Sequence, residues 1–176
     1  MRKPTNLVVL TLMMLAWAST ASAQAPAESS ASTALANRVQ SALHASKVAD
    51  PDQIKIEVEG GVVQLSGFVE SEQDLEQALG AARAVRGVAT VRNDLVVRES
   101  RPTVGQALDD TIIAAQVRKQ IEAHVAGDAR DINVAVSDGV VQLSGFVADT
   151  QVKNRAADVA STVQGVQDVR NDIALK

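Results

Sequence analysis

The sequence predicts an α+β protein built from two small tandem domains. Each runs helix-strand-strand-helix-strand, with two helices packed on one face of a three-stranded mixed sheet. Three observations carry this. Gly61-Val62-Val63-Gln64-Leu65-Ser66-Gly67-Phe68-Val69 is repeated letter for letter at Gly139 to Val147. Aligning Ile54–Val97 with Ile132–Leu175 leaves about half of the positions identical with no gap, a two-copy repeat rather than a solenoid of three or more units. Within each copy the apolar period switches between two residues and three to four, the marks of strands and of helices.

The first residues are set apart from the fold. Arg2 and Lys3 give a positive start, Leu7 to Ala18 an apolar run, and Ala21-Ser22-Ala23 a small-residue cleavage site. This three-part pattern predicts a secretory signal over residues 1–23, cut after Ala23, and a periplasmic protein. The competing reading is a membrane anchor, but the run is short of the roughly 20 residues a spanning helix takes. There is no Cys, hence no disulfide framework and no thiolate zinc site. The net charge of −4 becomes about −6 without Arg2 and Lys3. That balance argues against a general polyanion binder, so no nucleic acid is expected.

Residues 24–31 have no apolar period and are expected to be a disordered leader. The first domain is expected over 32–97. Ser32 or Thr33 caps a helix with Leu35, Val39, Ala42 and Leu43 on one face. It ends near Ser46 to Val48, because the residue before Pro51 is pushed out of the helical region. Ile54, Ile56 and Val58 alternate with charged residues in a half-buried strand. Gly60-Gly61 makes the turn into Val62–Val69. There Val63, Leu65 and Gly67 face the core, while Gln64, Ser66 and Phe68 point to the other, solvated face. Ser71 caps the second helix, whose stripe is Leu75, Ala78, Leu79, Ala82 and Val85, and Gly87 ends it. Val88–Val97 is the last strand.

Residues 98–108 are expected to be a linker and 109–176 the second domain. Asp109-Asp110 caps a helix with Ile112, Ile113, Val117, Ile121 and Val125 inward. Ile132, Val134 and Val136 form a strand, and Ser137-Asp138-Gly139 a turn into the second copy of the repeated stretch. Asp149 caps a helix with Ala156, Ala160 and Val163 inward. Gly165 ends it before the strand Val166–Leu175. Gly61, Gly67, Gly87, Gly139, Gly145 and Gly165 are read as structural, Gly67 and Gly145 because a missing side chain lets a helix approach the sheet.

Together, Asp138-Gly139-Val140-Val141-Gln142-Leu143-Ser144-Gly145, the helix end Val163-Gln164-Gly165-Val166 and the strand Val169-Arg170-Asn171-Asp172 resemble a BON domain. The first unit carries the same marks at Gly61 to Gly67, Gly87-Val88 and Val91 to Asp94, but opens with Ser32-Thr33 where the second has Asp109-Asp110. The resemblance covers nearly all of the chain after the signal. It implies the helix-strand-strand-helix-strand fold and a role in osmotic and envelope stress. It also implies contact with phospholipid, or chaperone-like help to outer-membrane or secreted proteins, and it offers no catalytic motif.

The residues themselves hold little chemistry. His44 and His124 lack a Cys or a paired carboxylate, so neither makes a metal site. The hairpin glycines do not lead from a strand into a helix, as a phosphate-cradling loop must. Ser66 and Ser144 have no neighbouring His and no nucleophile elbow. Glu70, Glu72, Asp74 and Glu76 suit the positive end of a helix dipole. No enzyme activity, cofactor or metal is expected. Phe68 and Phe146, the two Phe residues of the chain, are candidate partner contacts if exposed. The alternative is that they pack against a helix or the neighbouring repeat. Arg83, Arg86, Arg92, Lys153, Arg155 and Arg170 are candidate lipid contacts, set against ordinary helix-dipole partners. The expectation is a monomer that contacts unfolded or maturing envelope proteins, or a phospholipid surface peripherally, through two linked modules.

Overall fold

The computed structural model describes residues 25–98, 102–125 and 128–176. The expected signal segment and its cut lie outside the described residues. The first repeat comprises α1 (Ala25–Ala45), a single 3-10 turn (Pro51–Gln53), β1 (Ile54–Glu59), β2 (Val62–Val69), α2 (Glu72–Arg83) and β3 (Thr90–Val97). The second comprises α3 (Val104–His124), a 3-10 turn (Asp128–Asp131), β4 (Ile132–Ser137), β5 (Val140–Val147), α4 (Thr150–Ser161), β6 (Asp168–Asn171) and β7 (Ala174–Leu175).

In each repeat the central strand is the one holding the repeated stretch. β1 pairs antiparallel with β2 through the tight hairpin, with Ile56 opposite Leu65. β3 pairs parallel with β2, Leu65 opposite Asn93, because α2 carries the chain back across the sheet. The second repeat follows the same plan, its last strand divided into β6 and β7, both parallel to β5.

Apolar spacing then closes one core per repeat. Leu35, Val39 and Leu43 of α1 and Ala78, Leu79 and Ala82 of α2 cover Ile54, Val63, Leu65, Val69 and Leu95. Ile113, Val117 and Ile121 of α3, with Ala156 and Ala160 of α4, cover Ile132, Val134, Val141, Leu143, Val147 and Ile173. Ser71 caps α2 by accepting from the Asp74 N–H, and Asp149 caps α4 by accepting from the Gln151 N–H. Within the acidic run at the start of α2, Asp74 is buried and accepts from the Ala49 N–H at 3.1 Å.

Several expectations need correction. The leader is not disordered over its described part: α1 starts at Ala25, so Ser32 and Thr33 lie inside the helix rather than capping it. Pro26 falls in the first turn, where its missing N–H breaks no helical bond. α3 likewise starts within the expected linker, at Val104, capped by Thr103 in a reciprocal box with Gln106. Asp110 is therefore no cap. It is buried in α3 and accepts from the Asp138 N–H at 2.9 Å and the Gly139 N–H at 3.0 Å. That clasp has a local reason. Asp138 takes φ of +51°, a cost for a residue with a side chain. The first repeat has Gly60 there and Ser32 in place of Asp110. α2 ends at Arg83, and Gly87 closes the turn that follows rather than the helix itself. Ile112 faces solvent, not the core.

Gly67 and Gly145 make room for a turn rather than for a helix. Gly67 has φ of +116°, and a Cβ there would overlap the carbonyl of Gln53 in the 3-10 turn, not a helix. Gly145 has φ of +123° and faces the Asp131 carbonyl in the same way. The turn that leads into the edge strand crosses the central strand at these points, and only a residue without a side chain leaves room.

Gly67→Ala is expected to destabilise the protein by at least about 2 kcal/mol, from backbone overlap and a disfavoured φ together. Gly80→Ala, at an exposed position of α2 with open space around it, is expected to raise stability by about 0.5–1 kcal/mol. Urea unfolding of both variants checks the contrast.

Candidate functional site

Alternation along β2 predicts a wet outward face. That face is dry, because the two sheets pack on each other through it. Gln64, Ser66, Gln142 and Ser144 are all buried. Polar side chains can be buried in this way only with their hydrogen bonds complete, and here the bonds run between the repeats. Ser66 Oγ lies 2.6 Å from Ser144 Oγ, its own counterpart in the other copy. Gly67 N–H donates to Gln142 Oε1 at 2.7 Å, and Gly145 N–H donates to Gln64 Oε1 at 3.0 Å. Gln64 Nε2 donates to Asp94 Oδ2 at 2.6 Å and to the Asp172 carbonyl at 2.7 Å. Gln142 Nε2 donates to Asp172 Oδ2 at 2.7 Å and to the Asp94 carbonyl. Each amide thus uses both N–H groups and its oxygen.

Every one of these bonds is matched by its mirror in the other repeat. This is the pattern of an isologous contact, in which one patch meets a copy of itself across a two-fold axis. The axis passes between Ser66 and Ser144. Both motifs shared by the repeats, the nine-residue stretch and Val-Arg-Asn-Asp, contribute to it.

Phe68 and Phe146 lie on this same face and are 7% and 8% exposed. The covering of one sheet by the other buries them, so neither is an exposed partner contact. The basic candidates are not gathered into one patch by any shared bond. Arg92 Nε reaches Asp94 Oδ2 at 2.8 Å, and Arg170 Nε lies 3.9 Å from Asp172 Oδ2, so both flank the paired sheets. Lys153 Nζ donates to the Ile173 carbonyl at 2.7 Å. Arg83, Arg86 and Arg155 are exposed on the helical sides. Arg155 lines a cleft between α3 and α4 with His124, Asp149 and Asp158. His124 Nδ1 is 3.0 Å from the Gln120 carbonyl of its own helix, and His44 Nε2 is 3.3 Å from Asp52. Among the described residues no group of three or more His, Asp or Glu is placed to hold a metal ion.

One contact breaks the two-fold pattern. Asn133 Nδ2 donates to Glu57 Oε1 across the interface. The counterpart of Asn133 is Lys55 and that of Glu57 is Ala135. Burial raises the Glu57 carboxyl above its ordinary value, the Asn133 bond opposes this, and the charge of Asp131 adds to the rise.

A second surface escapes the sequence reading. Val104, Leu108 and Ile112 of α3 are 81%, 61% and 55% exposed. Steps of four residues put them on one stripe, opposite the buried Ile113, Val117 and Ile121. Leu108 falls in the expected linker and Ile112 in the expected core stripe, which hides the pattern. The four-residue spacing itself is present in the sequence.

The fold defines a tandem pair of small α+β domains, each built on the same helix-strand-strand-helix-strand plan. The chain belongs to the BON domain family, which matches residues 31–99 and 109–176. It is 36% identical to osmotically-inducible protein Y of Escherichia coli (strain K12) over 70% of this chain and 62% of that protein. It is 33% identical to outer membrane lipoprotein DolP of Haemophilus influenzae over 62% of this chain and 55% of that protein. The matches thus span less than two thirds of either relative. Among solved structures, the C-terminal domain of CdsD, a structural protein of the type III secretion system of Chlamydia trachomatis, aligns over 81% of this chain and 97% of its own. The TM-score is 0.32 and the identity 14%.

Glu57→Gln tests the half-buried carboxylate. With a folded-state value above the unfolded one, Glu57 is most favourable below the unfolded pKa of 4.5, and that stability is lost as pH rises through the folded value. Gln keeps an acceptor for Asn133 and never ionises. The variant is expected to melt above the parent at pH 7 and level with it below pH 4.5, read by thermal denaturation across pH.

Proposed function

We propose that this protein is a non-enzymatic interaction module of the bacterial envelope. It holds apolar segments of unfolded or maturing outer-membrane or secreted proteins, in the manner of a chaperone. The observation that carries this reading is the exposed Val104-Leu108-Ile112 stripe, a second apolar face on a helix that already spends its first on the core. The envelope setting is supported by the signal pattern at the N-terminus and by relatives named for osmotic induction and for the outer membrane.

A second reading is peripheral binding to phospholipid. It is favoured by Lys119, which lies seven residues (two helical turns) beyond Ile112 on the same side of α3, so that apolar side chains could enter a bilayer surface with a cation beside its headgroups. No helix among the described residues is long and apolar enough to cross a membrane.

Leu108→Glu/Ile112→Glu separates the readings from a structural effect, since neither side chain is buried. The mature protein is expected to suppress aggregation of a urea-unfolded outer-membrane protein, and the double variant to lose at least about half of that effect, roughly what removing a small exposed apolar anchor costs. Flotation with vesicles containing phosphatidylglycerol runs alongside. Loss of flotation with unchanged aggregation suppression would select the lipid reading, and no change in either assay would remove the stripe from both.

A further inference from the structure

The paired sheets hold one surface that is better matched to itself than to the partner it has. In the chain, Glu57 is covered by the second repeat, accepts one bond from Asn133 and lies near the like charge of Asp131. Lys55, two residues earlier on the same outward side of β1, is the counterpart of Asn133, and the mirror of the Asn133–Glu57 contact sets it opposite Ala135, which offers it no charge. The two-fold relation fixes what would follow if two first repeats met through the same face. Ser66 would oppose Ser66, Gln64 Oε1 would accept from the Gly67 N–H of the other chain, and Asn133 would be replaced by Lys55. Each Glu57 would then face a lysine, twice in the pair.

We propose that the outward face of β1 and β2 in the first repeat is also a docking surface for a second copy of this chain, first repeat to first repeat, with Lys55 of each facing Glu57 of the other. The amide network needs no change, because it is isologous already. The occupant is set by charge: a desolvated carboxylate exchanges an amide for a cation, and an unmatched lysine gains a partner. Opening the closed chain opposes this. The second repeat is tethered, and a short tether gives an effective concentration in the millimolar range. Pairing between chains therefore belongs to concentrated protein, and the closed monomer to dilute protein.

The chain has no Cys, so a single introduced thiol reports the contact. Ser66→Cys is hidden against Ser144 in the closed chain and can meet another Ser66→Cys only in the proposed pair. On oxidation, Ser66→Cys is expected to give a disulfide-linked dimer whose yield rises with protein concentration. Lys55→Glu, which sets like charges opposite each other in the pair but only Ala135 in the closed chain, should lower that yield at least fivefold. Adding Glu57→Lys should restore it. The Ser66→Cys/Ser144→Cys protein, oxidised when dilute, should close an intrachain bridge and so show that the thiol can react. A Ser66→Cys chain that stays monomeric at every concentration, or a dimer whose yield Lys55→Glu leaves unchanged, overturns the proposal. Light scattering of the Cys-free chain, with and without Lys55→Glu, tests the same contact without thiols. A concentration-dependent rise in mass that the variant loses supports the pairing. A mass that is constant in the parent, or a rise that the variant keeps, overturns it.

Discussion

Two buried glutamines govern how the repeats sit together. Gln64 and Gln142 have left water, and each completes its hydrogen bonding only when the other repeat is in place. Removing one partner would leave a buried amide or backbone N–H unpaired, at a cost of about 1–3 kcal/mol for each group. The contact is thus specified group by group rather than by apolar area. It also demands two copies of the same patch, because each Gln oxygen is aimed at a glycine N–H that only the other copy presents. The positive φ at Gly67 and Gly145 makes room for the 3-10 turn, and the same glycines supply those N–H donors. The letter-for-letter repeat is the sequence trace of a two-fold contact within one chain.

The pairing also answers a problem of size. Each repeat has a small core, with helices on one side of its sheet, and domains of about 60–70 residues bury comparatively little of their surface. Laying the second faces of the sheets together gives Phe68 and Phe146 a buried place that neither repeat could provide alone. The resulting order is helices, sheet, sheet, helices.

Most of the local structure is legible in the sequence. Alternation at Ile54, Ile56 and Val58, the Gly60-Gly61 turn and the Ser71 and Asp149 caps all act within a few residues, so local spacing suffices to read them. The sheet pairing is not legible in the same way. Gln, Ser and Phe alternating with Val and Leu reads equally as a solvated face or as a polar contact with a distant copy. Bonds between residues 75 to 81 positions apart leave no local periodicity. The duplicated letters hold that information, but their meaning needs the third dimension. Asp110 shows the same limit on a smaller scale: an Asp before an apolar run looks like a cap, and only the fold brings the Asp138 turn to it.

Where the copies differ is as informative as where they agree. The positions of α1 that correspond to Val104, Leu108 and Ile112 hold Pro26, Ser30 and Ala34, so the large apolar stripe belongs to the second repeat alone. It does not follow from the duplicated scaffold, and the core of its own repeat does not use it. The layer order then assigns it a direction. α3 packs on the side of its sheet away from the first repeat, and the stripe lies on the far side of α3, so it faces outward from the whole assembly. The face that the repeats share is closed by self-complementary polar bonds, and the face that they do not share is open and apolar. Contact with an apolar partner through α3 can therefore proceed without disturbing the pairing of the sheets, and the two surfaces can be altered one at a time.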